Sequence, residues 1–231
     1  MERVEKISQL LPLSGDEVHV WGLHIPSLGQ LERLQALLNK SELHKAERFQ
    51  RRKDQESSIA ARGALRVLLG AYSGQEPQQI HFSYTENGKP YLEGSSLGFN
   101  VSHSEDWVVL AFGCDRNIGV DIEQIRRNKV ILPIATRYFT HEEVAWIEQF
   151  EDMHAVFFQL WARKEAYVKA CGSALFRELS SFSVPLKSVG EKDGWFFYDL
   201  KAGSKYAAAV VSDKPMADVP CYDFGGLKWD S

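Results

Sequence analysis

Two carboxylates stand two residues apart in the stretch IGVDIE at residues 118–123. Its alternation predicts a strand with three aliphatic side chains facing the core and with Asp121 and Glu123 together on the opposite face. Like charges placed so closely raise each other's pKa and destabilise the fold unless a cation or basic groups compensate. Taken alone, the pair also fits a solvated strand face, so a cation site needs support from another ligand.

A predicted helix over residues 154–171 offers that ligand. Apolar residues cover nearly its whole circumference, which is typical of a buried helix. Its middle nevertheless carries four charges, Arg163, Lys164, Glu165 and Lys169. Buried charges need partners or a ligand. Glu165 and Lys169 are four residues apart and share a face, where they fit either a surface salt bridge or a third carboxylate beside a ligand-facing lysine.

Three carboxylates without histidine or cysteine suit a hard cation, and Mg²⁺ more than Zn²⁺. Since Mg²⁺ is usually bound by a few carboxylates together with substrate phosphates, the set predicts a phosphorylated ligand. FNVSHS at residues 99–104 places Asn100 and Ser102 on one strand face with His103 at the end, a hydrogen-bonding group for phosphate. The adjacent serine and histidine also suggest acyl hydrolysis, but their spacing is poor and no GxSxG elbow is present.

The elements that must position these residues alternate along the chain. Strands are predicted at residues 17–25, 80–84, 90–92, 98–101, 107–112, 118–122, 182–184, 195–200 and 206–211. Helices are predicted at residues 31–38, 47–69, 139–150 and 154–171, with Ser41 as the cap of a further helix. In each half a long helix ends near a glycine, Gly70 or Gly172, and strands follow. We therefore expect an α+β fold of two similar halves, residues 1–116 and 117–231, with a ligand in the cleft between them.

Composition narrows the class of protein. The 231 residues carry a net charge of −4 with a pI near 6.0, so no global attraction to nucleic acid or anionic membranes is expected. No run of apolar residues is long enough to span a bilayer. The three cysteines form no CxxC pair, which argues against a disulfide framework or a zinc site. We expect a protein of the reducing cytoplasm.

Taken in order, these stretches resemble the 4′-phosphopantetheinyl transferase superfamily, in its long, surfactin-type branch. The opening DEVHVWGLHIP also looks like cyanobacterial members. The combination of IGVDIE with WxxKEAxxK some forty residues later is the specific part of the resemblance. The matching motifs are GKP (88–90), FNVSHS (99–104), IGVDIE (118–123) and LWARKEAYVKACG (160–172), with RGALR (62–66) and FTHEE (139–143) as weaker matches.

The resemblance implies a monomeric pseudo-dimer of two α+β halves with coenzyme A (CoA) in the cleft. It implies transfer of the 4′-phosphopantetheine arm of CoA onto a serine of an acyl or peptidyl carrier protein, with release of 3′,5′-ADP. Mg²⁺ would be held by Asp121, Glu123 and Glu165, and reached through water by Glu143. The CoA phosphates would be contacted by Lys89, Ser102, His103, Lys164 and Lys169, and the 3′-phosphate by Arg62 and Lys45. Glu165 or a metal-bound water would act as the base, with Asp121 and Lys169 completing the catalytic set.

Residues 124–139, QIRRNKVILPIATRYF, are the expected docking segment for the carrier, because they mix basic and aliphatic side chains next to the acids. The same pattern fits an ordinary helix that packs its apolar side into the core. Two other functions stay open. One is a catalytically silent CoA- or nucleotide-binding module, which the complete acidic set and Lys169 argue against, and the other is a metal-dependent phosphodiesterase of small pyrophosphates.

Overall fold

The computed structural model describes residue 13, residues 15–172 and residues 179–226. Strands are β1 (Val18–His24), β2 (Ser83–Tyr84), β3 (Pro90–Tyr91), β4 (Leu97–Ser104), β5 (Trp107–Cys114), β6 (Ile118–Gln124), β7 (Val189–Lys192), β8 (Trp195–Leu200), β9 (Tyr206–Ser212) and β10 (Cys221–Asp223). Helices are α1 (Leu31–Ala36), α2 (Lys40–Glu47), α3 (Arg52–Ser73), α4 (Leu132–Tyr138), α5 (His141–Ile147) and α6 (Met153–Cys171). Helices and largely antiparallel sheets of this kind confirm the α+β class.

Two four-stranded sheets form the centre of the molecule. The first has the order β10-β1-β5-β4 and the second the order β6-β9-β8-β7, while β2 and β3 make a separate hairpin. Aliphatic residues of both sheets, among them Val20, Val109, Val120 and Val210, form one buried cluster between them. Helix α3 covers the outer face of the first sheet, and α6 covers that of the second. The layers therefore run helix, sheet, sheet, helix.

Each sheet thus has its own long helix, which ends at a glycine in the left-handed conformation, Gly74 for α3 and Gly172 for α6. The pseudo-dimer and the division at residue 116 stay predictions. Strand β10 crosses that division. It lies late in the chain but pairs in parallel with β1, and Phe224 directly after it is buried in the core of the first sheet. The second half therefore contributes a strand to the sheet of the first.

The helix predicted over residues 47–69 is wrong at both ends. In the structure, α2 ends at Glu47 and residues 48–51 are not helical. Helix α3 then runs from Arg52 to Ser73, so Gly70 lies inside it. Helix α2 begins one residue before the predicted cap, Ser41, because Asn39 and Glu42 form a reciprocal capping box.

The helix predicted over residues 139–150 is confirmed in part, as α5, which is shorter at both ends. Helix α4 begins with Pro133 in its first turn and ends before Phe139, and a capping box between Thr140 and Glu143 starts α5. Residues 182–184 form no strand, because the backbone N–H of Val184 donates to the Glu143 side chain and not to a neighbouring strand. Strands β7 and β10 were not predicted, and no described helix is long and apolar enough to cross a membrane.

Gly119 allows β6 and α6 to approach closely. A Cβ atom placed on it would lie 2.0 Å from the carbonyl oxygen of Ala166 and 2.5 Å from the amide nitrogen of Ala170. Both are backbone atoms, which cannot swing aside as the end of a side chain would. The glycine of IGVDIE is therefore what sets the distance between the strand and the helix that carry the candidate site.

We predict that Gly119→Ala lowers the free energy of unfolding by about 1–3 kcal/mol, because the added methyl group overpacks this contact. Urea denaturation followed by circular dichroism measures the change. Gly15→Ala is the matched control, since a Cβ atom at Gly15 meets nothing within 4 Å. Equal stability of the two variants would show that the strand and the helix separate at no cost.

Candidate active site

Strand β6 presents the two carboxylates of IGVDIE. It pairs with β9 on one side only and is therefore an edge of the second sheet. Gly119 faces α6, so the alternation of the strand places Asp121 and Glu123 on the same side. Asp121 is 2% exposed and Glu123 is half-buried. The predicted face is confirmed, and it is covered by a helix and not by solvent.

Polar side chains of β4 bind the free edge of β6. Asn100 Oδ1 accepts a hydrogen bond from the Val120 backbone N–H at 3.0 Å, and Ser104 Oγ accepts one from the Gln124 backbone N–H at 3.0 Å. Ser102 lies between them on the same face of β4. Polar side chains, in place of a backbone ladder, thus join the edges of the two sheets, and Asn100 has this role instead of binding a phosphate.

Lys169 is the centre of the candidate site. Its Nζ lies 2.6 Å from Asp121 Oδ1 and 2.8 Å from Ser102 Oγ, and Ser102 Oγ in turn donates to Asp121 Oδ1 at 2.7 Å. Helix α6 and strands β4 and β6 therefore meet in three mutual hydrogen bonds. The other carboxylate oxygen of Asp121, Oδ2, is buried and has no hydrogen-bond partner. A buried carboxylate oxygen without a partner is costly and marks a place for a cation or a donor.

Glu123 and Glu165 complete an acidic group around Asp121. Burial, followed by the charges of Asp121 and Glu165, raises the pKa of Glu123 to about 7. Burial also raises the pKa of Glu165 to about 7, followed by the charge of Asp121, while Lys169 and a hydrogen bond from the Trp161 indole at 2.8 Å act in the opposite direction. The cations of the site thus leave its negative charge partly uncompensated.

The oxygen ligands of Asp121, Glu123 and Glu165 fit a hard cation, although two of these side chains are hydrogen-bonded to other residues in this structure. Among the described residues, no three His, Cys, Asp or Glu side chains stand close enough together to hold a metal ion. Glu165 Oε1 is bonded to Trp161, and Asp121 Oδ1 to Lys169. The free Oδ2 of Asp121 and the raised pKa values of Glu123 and Glu165 nevertheless indicate that a divalent ion would stabilise this group of carboxylates.

His103 lies on β4 next to this group, with its side chain exposed. Its pKa is lowered by the atoms packed around the ring and then by the Lys169 ammonium. The imidazole is therefore within electrostatic reach of Lys169 and still open to a ligand, as a phosphate contact requires.

Lys164 and Glu143 have different positions from those the resemblance implies. Lys164 Nζ forms an ion pair with Glu143 Oε2 at 2.9 Å, and both side chains are 0% exposed. The same ammonium donates to the carbonyl oxygens of Leu179 and Phe182 at 2.7 and 2.5 Å. Neither residue offers an atom to a CoA phosphate or to a metal-bound water in this structure. Their contacts tie α6, α5 and the segment after residue 179 together.

Lys89 also differs from the expectation. Its Nζ donates to three backbone carbonyl oxygens, on β6 and at the end of α6, and so has no N–H group free for a phosphate.

Arg62 and Lys45 form a second basic group, around Tyr84. The Arg62 guanidinium lies 4.4 Å from the Phe82 ring centroid, 3.4 Å from Tyr84 Oη and 3.6 Å from Glu42 Oε1. Lys45 Nζ lies over the Tyr84 ring at 5.2 Å. Arg62 Nη1 is buried without a hydrogen-bond partner, so this arginine can still bind an anion.

Three contacts of the site were missed in the sequence. Trp161 precedes Glu165 by four residues, so the helical spacing alone could have indicated its hydrogen bond. Ser104 repeats the spacing of Asn100 and Ser102, a regularity that points to a shared role. Tyr84 carried no signal, because its role depends on two helices far away in the chain.

Comparison with known proteins agrees with the geometry. The family model of the 4′-phosphopantetheinyl transferase superfamily matches residues 117–211, and that of the N-terminal part of 4′-phosphopantetheinyl transferases matches residues 23–114. The 4′-phosphopantetheinyl transferase HetI of Nostoc sp. (strain PCC 7120) is 37% identical over 212 residues, which cover 87% of this chain and 90% of the relative. The chain belongs to the 4′-phosphopantetheinyl transferase superfamily.

Further members of the superfamily agree. A 4′-phosphopantetheinyl transferase of Bacillus subtilis is 30% identical over 200 residues, covering 82% of this chain and 88% of that protein. The 4′-phosphopantetheinyl transferase Sfp of Bacillus subtilis (strain 168) is 30% identical over 163 residues, covering 69% and 71%. The resemblance inferred from the motifs is thereby confirmed.

We predict that Asp121→Asn lowers the pKa of both Glu123 and Glu165 in metal-free protein, because it removes a negative charge that raises both. The amide keeps an oxygen that can accept from Lys169. ¹³C NMR titration of the glutamate carboxyl groups in the presence of a chelator measures the change. Asp115→Asn, at an exposed turn, is the control. Unchanged pKa values of Glu123 and Glu165 in Asp121→Asn would show that the charge of Asp121 does not act on these two glutamates.

The raised pKa values of Glu123 and Glu165 also make the stability of the fold depend on pH. Both pKa values lie above the ordinary 4.5, so the native state holds the protons more tightly than the unfolded chain. Stability from these groups is complete below about pH 4.5 and is lost as the pH rises through about 7.

Proposed function

We propose that this enzyme transfers the 4′-phosphopantetheine arm of CoA to a serine of an acyl or peptidyl carrier protein, with Mg²⁺, and releases 3′,5′-ADP. Membership of the superfamily supports the reaction class. The observation that carries the proposal is the contact of Lys169 with Asp121 and Ser102, beside two glutamates whose pKa values are raised to about 7.

Asp121, Glu123 and Glu165 would hold the Mg²⁺ ion. When bound, the ion supplies positive charge that offsets the CoA pyrophosphate. The free Oδ2 of Asp121 supports this assignment. Lys164 and Glu143 are left out of the ligand set, because they are fully buried against each other.

The protein's own groups fit the remaining roles. Lys169 is positioned to balance charge on the phosphates as the P–O bond of the anhydride breaks, and His103 and Ser102 would contact the bound phosphates. Glu165, or a water held by the metal, would accept the proton of the carrier serine. Arg62 and Lys45 would bind the 3′-phosphate.

The ligand would lie between the two sheets' outer edges, because β4 and β6 both contribute to the site. One chain supplies all these groups, so we propose that the protein acts as a monomer. A cytoplasmic location fits the supply of CoA and carrier proteins and the three free cysteines.

We predict that the wild-type protein, incubated with CoA, Mg²⁺ and an apo carrier protein, adds the phosphopantetheine mass to the carrier. Lys169→Met should lower kcat by about 10²-fold, whereas His103→Ala should mainly raise the Kd for CoA. Intact-mass spectrometry measures transfer, and calorimetry measures CoA binding. Asp115→Asn is the control and should behave as wild type.

The outcomes separate the three functions. CoA binding without a gain in carrier mass would indicate a silent binding module. Loss of CoA without modification of the carrier would indicate a phosphodiesterase. If Lys169→Met changes only the KM, Lys169 has no special role in the transition state.

Residues 124–139 are the proposed docking segment of the carrier. Val130 is 73% exposed and Leu132 is 39% exposed, whereas Ile131 is 4% exposed and packs in the core. The segment therefore divides its aliphatic side chains between core and surface. Arg126 pairs with Glu105 at 3.1 Å and Arg127 with Asp152 at 2.5 Å, so both cations are already engaged by the protein itself.

We predict that the double variant Arg126→Gln, Arg127→Gln raises the KM for an acidic carrier several-fold and leaves CoA affinity unchanged. The effect should shrink with added salt, because screening acts over about 10 Å at 0.1 M. Steady-state kinetics with varied carrier measures it. Glu105→Gln is the matched control, because it removes the partner of Arg126 but keeps the arginine, and it should not raise the KM. An unchanged KM in the double variant at low salt would place docking elsewhere.

A further inference from the structure

Lys89 stands on a rigid turn between β2 and β3. The Thr85 backbone N–H donates to the Lys89 carbonyl oxygen at 3.0 Å, and the Lys89 backbone N–H donates to Thr85 Oγ1 at 3.1 Å. Gly88 takes a positive φ of 78° that favours glycine. The backbone of Lys89 is therefore fixed before its side chain makes any contact.

The ammonium of Lys89 is saturated by backbone carbonyls. Its Nζ lies 2.7 Å from the Lys169 carbonyl oxygen, 3.2 Å from that of Ala170 and 3.0 Å from that of Ile118. An ammonium has three N–H donors, so these three acceptors use all of them. Burial lowers the pKa of Lys89 to about 8, which leaves the group largely charged at neutral pH.

These carbonyls belong to two elements of the active site. Lys169 and Ala170 form the last turn of α6, where carbonyl groups have no partner within the helix and where a cation is favoured by the helix dipole. Ile118 begins β6, three residues before Asp121. From the same turn, Asn87 Nδ2 donates to the Gly172 carbonyl oxygen at 2.8 Å. The β2–β3 turn thus caps the helix that carries the catalytic lysine.

We infer that Lys89 is a positioning residue, which caps the C-terminal end of α6, ties it to the start of β6, and so fixes Lys169 against Asp121 and Ser102. The residue whose carbonyl it holds is the one whose Nζ makes those two contacts. A direct contact of Lys89 with a CoA phosphate would require these bonds to break. The kinetic consequence of this inference rests on the proposed function.

Hydrogen exchange and kinetics of Lys89→Met test the inference. In the ligand-free protein, amides at the end of α6 (residues 167–172) should exchange about five- to tenfold faster, because the cap is lost. The kcat for transfer should fall about ten- to a hundredfold, since a small misplacement of a catalytic group has such an effect. The Kd for CoA should change less than about threefold.

Matched variants sharpen the test. Lys89→Arg keeps donors and charge and should restore most of the kcat and of the protection. Lys214→Met, at an exposed lysine, should match wild type in every measurement. If Lys89→Met does not fold, Asn87→Ala removes one bond of the same turn and should speed exchange in the same residues to a smaller extent.

A tenfold rise in the Kd for CoA with normal kcat would overturn the inference and return Lys89 to a phosphate-binding role, as would unchanged exchange at the end of α6. The exchange measurement needs no ligand and no carrier. If the wild-type protein fails to modify a carrier, the proposed function fails while the capping role of Lys89 is still tested.

Discussion

The ammonium of Lys169 holds the two sheets and helix α6 together at the candidate site. It contacts Asp121 on the second sheet and Ser102 on the first, at 2.6 and 2.8 Å. Without a cation so close, the burial of Asp121 would be very costly. One lysine is not enough for three acids, since burial, and after it the charge of Asp121, still raises the pKa values of Glu123 and Glu165 to about 7. The site is therefore stable enough to form and still favours the arrival of further positive charge.

The joint between β4 and β6 explains why the acids can stand at a sheet edge. An open edge exposes backbone groups that need partners. Here Asn100 and Ser104 satisfy two N–H groups of β6 with side chains, which keeps the sheets apart by the length of a side chain. A backbone ladder would close that gap.

Much of this site could be predicted from the sequence because local periodicity determines it. The shared face of Asp121 and Glu123 follows from the period of a strand, and the shared face of Glu165 and Lys169 from that of a helix. Gly172 ends α6 as the pattern predicted.

The failures have a common cause, which is dependence on distant partners. The pairing of Lys164 with Glu143 joins two helices, and nothing in WARKEAYVKA distinguishes Lys164 from a ligand-facing lysine. Lys89 bonds to carbonyl groups, which every residue possesses, so no sequence pattern could reveal them. The start of α5 at His141, two residues after the predicted start, depended on a capping box that the apolar pattern concealed.

Strand β10 has a consequence for the order in which the molecule can be built. During synthesis, β1, β4 and β5 leave the ribosome long before Cys221–Asp223, yet the backbone of Val20–Gly22 finds its outer neighbour only in that late strand. Until then the first sheet has an unpaired edge, and Phe224 is missing from its core. The second sheet must be translated in the meantime. The first sheet can therefore be completed only after all the strands of the second sheet have been translated.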